Sequence, residues 1–212
     1  MDKDVQNSVD AWEFSPRACG FLFVGVEAAP GARGLVFCTI DGKQRAACSA
    51  HENHRGDEFM ESSSFCVPAW CSHLSVEARV SVPTLPLHVR ARWLPLANDN
   101  WVMEEAVPRD TELIYTAETD GFLYGYMNAL QGQRGKVTIE IVDGGTAGFR
   151  TCSMASVHLN PPSDRWVDAN SVMLPVTKGA QYRATVDTFG SPHLRPTVQI
   201  FWTGLIPGPR KG

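Results

Sequence analysis

Gly20-Phe21-Leu22-Phe23 recurs as Gly121-Phe122-Leu123-Tyr124, 101 residues further along the chain. Both blocks have the pattern glycine, aromatic, leucine, aromatic. Other blocks recur in the same order, and their offset grows from 101 to 109 without reversing. Ordered matches with small insertions between them are typical of a duplicated domain whose loops differ in length. The further pairs are Arg33-Gly34-x-Val36 with Arg134-Gly135-x-Val137, Asp41-Gly42 with Asp143-Gly144, Cys48-Ser49 with Cys152-Ser153, Ser64-x-x-Val67-Pro68 with Ser171-x-x-Leu174-Pro175, and Val89-x-Ala91-x-Trp93 with Val198-x-Ile200-x-Trp202.

Apolar and polar side chains alternate in and between these blocks. In residues 74–82 every second side chain is leucine, valine or alanine, and serine, glutamate or arginine stands between them. The same period of two runs through residues 87–93, 136–141 and 198–203. Because the side chains of a strand point alternately to its two faces, this pattern predicts strands with one buried face. The inward set in residues 87–93 is also the set that the repeat matches, so the two observations agree.

Turn residues interrupt the chain too often for long helices. The sequence has 18 glycines and 14 prolines, and turn signals such as Gln131-Gly132 and Lys178-Gly179 separate the strands. Short strands divided at this density are typical of a sandwich or jelly roll. We therefore predict an all-β protein of two tandem jelly-roll or β-sandwich modules related by internal duplication. Residues 1–97 form the first module, residues 98–110 a polar linker, and residues 111–212 the second module.

The composition excludes several classes of protein. Hydrophobic residues make up 43% of the 212 residues and charged residues 20%, which are ordinary globular values. A net charge of -4 without a basic cluster argues against a nucleic-acid partner. No run of about 18 apolar residues is present, so we expect no membrane insertion. Residues 1–10 are polar with three acids, and we expect no secretory signal there.

The six cysteines do not require a disulfide framework. Cys38 stands where the second copy has Ile139, and a cysteine that is interchangeable with isoleucine behaves as a small buried hydrophobe. Cys66 and Cys71 are near enough in the chain to form a disulfide. The sequence leaves this pairing open, because a reducing compartment would keep both thiols free.

The second copy carries a characteristic order of motifs. Residues 121–126 form an aromatic strand, residues 134–144 a strand that ends in Asp-Gly, and residues 171–182 an apolar strand that leads into Pro-Val-x-Lys-Gly. Followed by an aromatic strand at 201–202, this order resembles the small jelly-roll modules at the tips of phage tail fibres and related virion surface proteins. Ala180 departs from the pattern, because an acidic residue commonly stands there in those modules.

Modules of that kind usually trimerise and bind a bacterial surface glycan or protein. The resemblance therefore implies self-association as a homotrimer, contacts with other virion proteins, and a host surface glycan or protein as receptor. The first copy has Cys71-Ser72 in place of the Lys-Gly turn, which implies a docking or spacer role. The polar N-terminus fits a virion protein that is assembled in the host cytoplasm.

Aromatic side chains that remain exposed on a sandwich mark binding surfaces. The aromatic strand offers two tyrosines, and the polar loop 163–168 surrounds a tryptophan with charged groups, a combination that sugar sites use. An alternative is that Trp166 folds back to cover the end of the sandwich. The candidate ligand- or receptor-binding residues are Tyr124, Tyr126, Asp164, Arg165, Trp166 and Asp168.

In the first module, the strand that contains Arg33-Gly34-x-Val36 has an unusually apolar outward face. Phe37 occupies the position of Thr138, which the pleat places outside, and Leu35 lies beside it on the same face. We expect Leu35 and Phe37 to be covered by a second subunit or by the other module.

Catalytic and metal-binding patterns are missing from the sequence. It contains no G-x-S-x-G, H-E-x-x-H, P-loop or G-x-G-x-x-G motif, and we expect neither enzyme activity nor a cofactor. His51 and His54, with the acids at 52, 57 and 58 and with His73, are metal-capable. On a strand, however, positions 51 and 54 point to opposite faces, so we expect a solvated loop without metal.

Two hypotheses of function follow. The first is a non-enzymatic structural protein of a bacteriophage virion, as a tail-fibre, spike or head-decoration component that self-associates and binds a host receptor. The alternative is a glycan-binding lectin of a bacterium or fungus, either cytoplasmic or secreted by a non-classical route.

Overall fold

A computed structural model describes most of the chain, and the described residues form strands, turns and loops. In the described residues, seventeen strands make up four sheets, which are arranged as two sandwiches. The predicted all-β fold is confirmed, because apolar residues alternate with polar ones along most of these strands. The described residues are 2–5, 9–50, 61–70, 72–82, 84–96, 100–130, 132–142, 148, 150–157, 167–189 and 195–208.

The first sandwich contains eight antiparallel strands in two sheets. One sheet has the strand order β1-β8-β3-β6, and the other has the order β2-β7-β4-β5. The strands are β1 (Asp2–Val5), β2 (Val9–Phe14), β3 (Gly20–Ala28), β4 (Gly34–Ile40), β5 (Lys43–Ala50), β6 (Glu61–Ala69), β7 (Leu74–Val80) and β8 (Leu87–Pro95).

The second sandwich again has two four-stranded ladders, with one short strand added. The orders are β10-β17-β12-β15 and β11-β16-β13-β14, and β9 pairs with the far end of β17. The strands are β9 (Trp101–Met103), β10 (Val107–Arg109), β11 (Tyr115–Thr116), β12 (Gly121–Ala129), β13 (Arg134–Val142), β14 (Arg150–Val157), β15 (Asp168–Val176), β16 (Gln181–Phe189) and β17 (Thr197–Pro207).

Both sandwiches have one topology. Counted from its own first strand, with β9 left aside, each sandwich pairs its strands in the orders 1-8-3-6 and 2-7-4-5. This double Greek key is the jelly roll. The shared order agrees with the sequence repeat, although the origin of the two halves by duplication stays a prediction.

The two sandwiches also share a close contact between a glycine and a tryptophan. A Cβ atom added at Gly20 would lie 2.7 Å from Cζ2 of Trp93, and one added at Gly121 would lie 2.6 Å from Cζ2 of Trp202. Each added atom would also meet a backbone carbonyl of the adjacent strand. A residue without a Cβ is therefore needed where the strand passes beside the indole ring.

A β-bulge interrupts the same hairpin in each sandwich. Two residues, Asp41 and Gly42 with positive φ, connect β4 to β5, and the register then shifts so that Arg45 is the extra residue. In the second sandwich the register shifts at the equivalent place, and Cys152 is the extra residue. Bulges bend a strand and redirect its side chains.

The register corrects one match of the sequence repeat. Val36 faces Cys48 across the first hairpin, and Val137 faces Ala155 across the second, so the counterpart of Cys48 is Ala155. The match of Cys48 with Cys152 was therefore wrong by three residues. The reason is that the second hairpin has a longer connection, whose extra residues all precede β14.

Residues 98–110 contain two strands. β9 pairs with β17 through Leu205 and Met103, and β10 pairs with β17 through Trp202 and Val107. The segment that the sequence predicted as a linker therefore supplies strands to the second sandwich, because its short apolar stretches have backbone partners along the eleven-residue β17.

Cysteines fill the core of the first sandwich as the sequence predicted for Cys38. Cys38 and its counterpart Ile139 are both fully buried, and Cys48 is fully buried as well. Burial raises the pKa of the Cys38 and Cys48 thiols from 9.0 to about 12, with a hydrogen bond from Ser63 opposing the rise at Cys48. The thiol of Cys66 is free, and Cys71 lies outside the described residues.

Replacement of Gly121 by alanine will destabilise the second sandwich. We expect Gly121→Ala to lower the free energy of unfolding by about 1 to 3 kcal/mol, because the new Cβ overlaps the Trp202 ring and backbone. Gly25→Ala is the matched control, since its Cβ would have no heavy atom closer than 4.0 Å. Urea unfolding of both variants measures the difference, and equal stabilities would contradict the close contact.

Alkaline pH will destabilise the first sandwich through its buried thiols. In the unfolded chain these thiols ionise near pH 9, whereas in the fold they stay neutral up to about pH 12. Their stabilising contribution is thus complete below pH 9 and is lost as the pH rises towards 12. We expect Cys48→Ala to make this loss shallower, whereas Val67→Ala lowers stability without changing the slope. An unchanged slope in Cys48→Ala would contradict this assignment.

Candidate functional site

The two sandwiches meet where edge strand β5 of the first lies antiparallel to edge strand β15 of the second. Ser171 bridges the backbone of Ala47: its Oγ accepts from the amide at 2.9 Å and donates to the carbonyl at 2.6 Å. Ser49 does the same for Ala169, accepting at 3.0 Å and donating at 3.2 Å. Two serine hydroxyls thereby satisfy backbone groups that an edge strand would otherwise leave unpaired.

Arg45 enters the contact because the bulge turns it outward from β5. Its guanidinium lies 4.4 Å from the ring centre of Phe201 in the second sandwich and 5.6 Å from the ring of Trp70 in the first. The side chain is buried, and its Nε has no hydrogen-bond partner among the described residues. Contacts with ring faces hold a buried guanidinium through the aromatic quadrupole.

The outer face of the sheet β10-β17-β12-β15 is covered by this edge. Tyr124 and Tyr126 are 1% and 3% exposed, and Phe201 and Thr203 are buried beside them. We define these four residues as the docked face. Burial raises the pKa of Tyr124 to about 12, and Thr203 and the Arg45 guanidinium oppose that rise.

Tyr124 and Tyr126 therefore differ from their predicted role. The sequence predicted that they form an exposed ligand surface, whereas they pack in one hydrophobic cluster with the core of the first sandwich. The alternation of β12 does direct them outward from their own sandwich. What covers them is the neighbouring sandwich, which a periodicity within one strand does not reveal.

Leu35 and Phe37 lie in a smaller cluster at the same boundary. Leu35 is buried with Ala47 of β5 and Ala169 of β15, and Phe37 packs partly against them together with Val167. The guanidinium of Arg79 lies 5.1 Å from the Phe37 ring centre. These two residues were the predicted subunit or module interface, and in the described residues they contact the second sandwich.

The equivalent outer sheet face of the first sandwich is open. It carries Phe23 and Leu94, which are 42% and 51% exposed, together with Arg90 and Arg92. We define as the open face Phe23, Gly25, Ser62, Ser64, Cys66, Arg90, Arg92 and Leu94. By strand register, Phe23 and Gly25 are the counterparts of Tyr124 and Tyr126.

A groove of about 560 Å³ runs along the open face and is closed on one side by Ser171 and Met173 of β15. Phe23 lies across from Arg92, and Gly25 lies across from Arg90, on neighbouring strands. The nearest heavy atom to a Cβ added at Gly25 would be the Ser63 carbonyl oxygen at 4.0 Å, so space is open above this strand. The groove is apolar with a cationic rim.

The groove has the chemistry of binding and lacks a pair of catalytic groups among its described lining residues. Burial raises the pKa of the Cys66 thiol to about 12, so Cys66 is not a thiolate nucleophile at neutral pH. The carboxylate of Glu27 lies 3.7 Å from the guanidinium of Arg90 at the rim. In the described part of the chain, no cluster of three metal-capable side chains occurs.

Of the other predicted ligand-binding residues, one is buried and three lie outside the residues that the structure describes. Asp168 is 1% exposed at the start of β15, so its carboxylate is not presented to solvent. Asp164, Arg165 and Trp166 lie outside the described residues, and the same holds for 51–60. Among the described residues, no helix is long and apolar enough to span a bilayer.

Sequence analysis missed the residues of β5, although a signal was present. Residues 46–50 are all small, and both faces of the strand are buried. A run of small residues without polar alternation is typical of a strand that is covered on both sides. The partner serine at 171 had no comparable signal, because a serine on a strand usually faces water.

The contact of Arg45 with two aromatic rings predicts an order of stability among its variants. Arg45→Met keeps a long apolar stem without a charge to bury, whereas Arg45→Lys keeps the charge but loses the planar stacking surface. We expect the lysine variant to be less stable than wild type by about 2 kcal/mol and less stable than the methionine variant. Urea unfolding gives the order, and a lysine variant as stable as wild type would contradict the contact.

Comparison with known proteins finds no matching family model and no matching curated protein. Among solved structures, the chain is similar to PNGase F, a glycosylasparaginase from Flavobacterium meningosepticum, with 8% identity and a TM-score of 0.46. That comparison covers 99% of this chain and 100% of the other.

Two further solved structures are similar at lower scores. For the tandem CBM22 domain of Xyn10C from Paenibacillus barcinonensis, the identity is 8%, the TM-score is 0.26, and 91% and 82% of the two chains are covered. For the stem and receptor-binding domain of spike protein P1 from bacteriophage PM2, the values are 10%, 0.22, 92% and 96%. Similarities of this size assign neither a family nor an activity to the chain.

Proposed function

We propose that this protein is a non-enzymatic structural component of a bacteriophage virion that assembles with copies of itself through the open face. The observation that carries the proposal is an asymmetry between two equivalent sheet faces. The docked face is buried by a neighbouring β-sandwich edge, whereas the open face keeps Phe23 and Leu94 half exposed. Large apolar side chains that stay exposed along one groove are typical of an interaction surface.

The side chains that the structure describes in the lining of the groove are suited to contact with a partner, and this composition supports a binding role. Cys66 is the thiol of the groove, and burial keeps it protonated at neutral pH. The other polar groups of the lining are serines and arginines, which bind and position a partner. A surface of this composition is suited to contact with another macromolecule.

The sequence resemblance to virion jelly-roll modules supports the finer parts of the proposal. They are a tail-fibre, spike or decoration position, a homotrimer, assembly in the host cytoplasm, contacts with other virion proteins, and a host surface glycan or protein as receptor. The loop that contains Asp164, Arg165 and Trp166 stays the predicted receptor-binding segment.

Charge placed on the open face will disrupt self-association. We expect the wild-type protein to sediment as an oligomer at micromolar concentration, and the double variant Phe23→Asp, Leu94→Asp to sediment as a monomer. The physical reason is that two carboxylates in a covered apolar contact must be desolvated without partners. Analytical ultracentrifugation over a concentration series makes the measurement.

Leu130→Asp is the matched control, because Leu130 is 52% exposed on the second sandwich and lies outside the open face. It should leave the oligomer unchanged. A wild-type protein that stays monomeric at all concentrations, or a double variant that still assembles, would overturn the proposal.

The second candidate function is binding of an acidic glycan in the groove. It is favoured by Phe23 beside Arg92, because sugar rings stack on aromatic faces and guanidinium groups bind carboxylates in pairs of hydrogen bonds. A volume of about 560 Å³ is in the range of small-ligand sites. Binding of uronic-acid or sialylated oligosaccharides that is lost in Arg92→Ala, in a protein that is monomeric, would favour this function over assembly.

A further inference from the structure

We infer that the surface which docks on the open face is the β14 edge of a second copy, so that copies join head to tail. This inference rests on the proposed self-association and names the partner surface, which the proposed function leaves undefined. It comes from the contact between the two sandwiches within one chain. That contact has a second set of equivalent residues, which are exposed in the described part of the chain.

The equivalence follows from strand register. In the first sandwich, Leu35 faces Ser49, and in the second, Lys136 faces Ser156 at the same step of the hairpin. Ser156 on β14 therefore corresponds to Ser49 on β5. Two residues earlier on each strand, Ala47 faces Phe37 in the first hairpin, and Met154 faces Thr138 in the second. Met154 therefore corresponds to Ala47.

The other half of the contact is repeated as well. Ser171 on β15 faces Tyr126, and Ser64 on β6 faces Gly25, the counterpart of Tyr126. Ser64 therefore corresponds to Ser171, and Ser62 corresponds to Ala169. The repeat keeps both serines that bridge the contact within the chain, one on each half.

The repeated residues are exposed where the originals are covered. Ser62 and Ser64 on β6 are exposed, and Ser156 on β14 is exposed. Met154 is 62% exposed, the largest exposure among the large apolar side chains of the described residues. Among the described strands, β6 and β14 each lie at the edge of their sheet, with a strand partner on one side.

A second copy can use these groups in the manner of the contact within the chain. Ser64 of one copy bridges the backbone of Met154 in the next, and Ser156 of that copy bridges the backbone at Ser62, as Ser171 and Ser49 bridge Ala47 and Ala169. The Met154 side chain, as the counterpart of Ala47, then lies over Ser62, the counterpart of Ala169, at the margin of the open face. The second sandwich of the next copy covers Phe23 in the way that the first sandwich covers Tyr124, its counterpart. A polar bridge and an apolar contact thus occur together.

This interface joins two different surfaces, and its symmetry follows from that. Each copy offers one open face and one β14 edge, so the contact is heterologous, and copies form a closed ring or a chain. A face-to-face dimer through two open faces would be isologous and would stop at two copies. The predicted homotrimer corresponds to a ring that closes after three copies.

Mixing of two blocked variants distinguishes the two symmetries. The acceptor-blocked variant is Phe23→Asp with Leu94→Asp, and the donor-blocked variant is Met154→Asp with Ser156→Asp. We expect each variant alone to be monomeric, because one half of every contact is blocked. An equimolar mixture should form a heterodimer and no larger species, since the intact open face of one variant meets the intact β14 edge of the other.

The readout is sedimentation velocity with a fluorescent label on one variant. Formation of the heterodimer also demonstrates that both variants are folded, which single-variant experiments do not. If the donor-blocked variant alone assembles, or if the mixture stays monomeric although wild type assembles, the β14 edge is not the partner and this inference is wrong. A monomeric wild type instead overturns the proposed function itself.

Discussion

The architecture depends on how the backbone N–H and C=O groups of two edge strands find hydrogen-bond partners. β5 and β15 each end a sheet, and the free backbone groups of such strands must find partners or remain in water. Ser49 and Ser171 supply those partners across the boundary, each with one hydroxyl that both accepts and donates. The bridge sets the strands antiparallel without a continuous sheet. It thereby brings the side of one sandwich onto the face of the other, so that the four sheets form one molecule with a shared apolar cluster.

The bulge in β5 adds a further side chain to the contact between the two sandwiches. It places Arg45 outward, where Phe201 and Trp70 contact the guanidinium. Desolvation of the charge opposes burial of this arginine, and stacking on the two rings together with the ring quadrupole offsets part of that cost. The second sandwich has its bulge at the equivalent step with Cys152 in place of the arginine. The two edges are thus built on one backbone plan but carry different side chains.

The two sandwiches differ in how their equivalent outer sheet faces are covered. One sheet face is covered, and its equivalent is open with Phe23, Arg92 and a groove beside Met173. In the assembly that we propose, the contact within the chain uses one face and one edge, and the equivalent face and edge join the next copy. The groove has the volume of a small-ligand site, and it borders the face that we propose as the interface. Serine, arginine and phenylalanine occur in both kinds of surface.

The all-β class, the two jelly rolls and many strand positions were determined by the sequence itself, because alternation within a strand and turn residues between strands are local consequences of backbone geometry. Phe37 in the place of Thr138 likewise indicated an apolar outer face. Only the tertiary structure decided that Tyr124 and Tyr126 are covered, that Asp168 is buried, and that residues 98–110 supply strands to β17. The physical reason is that periodicity defines which side of its own sheet a residue faces. Whether that side meets water or another sheet depends on contacts between residues more than 100 positions apart, such as Ser49 with Ala169, and these leave no periodic trace in the chain.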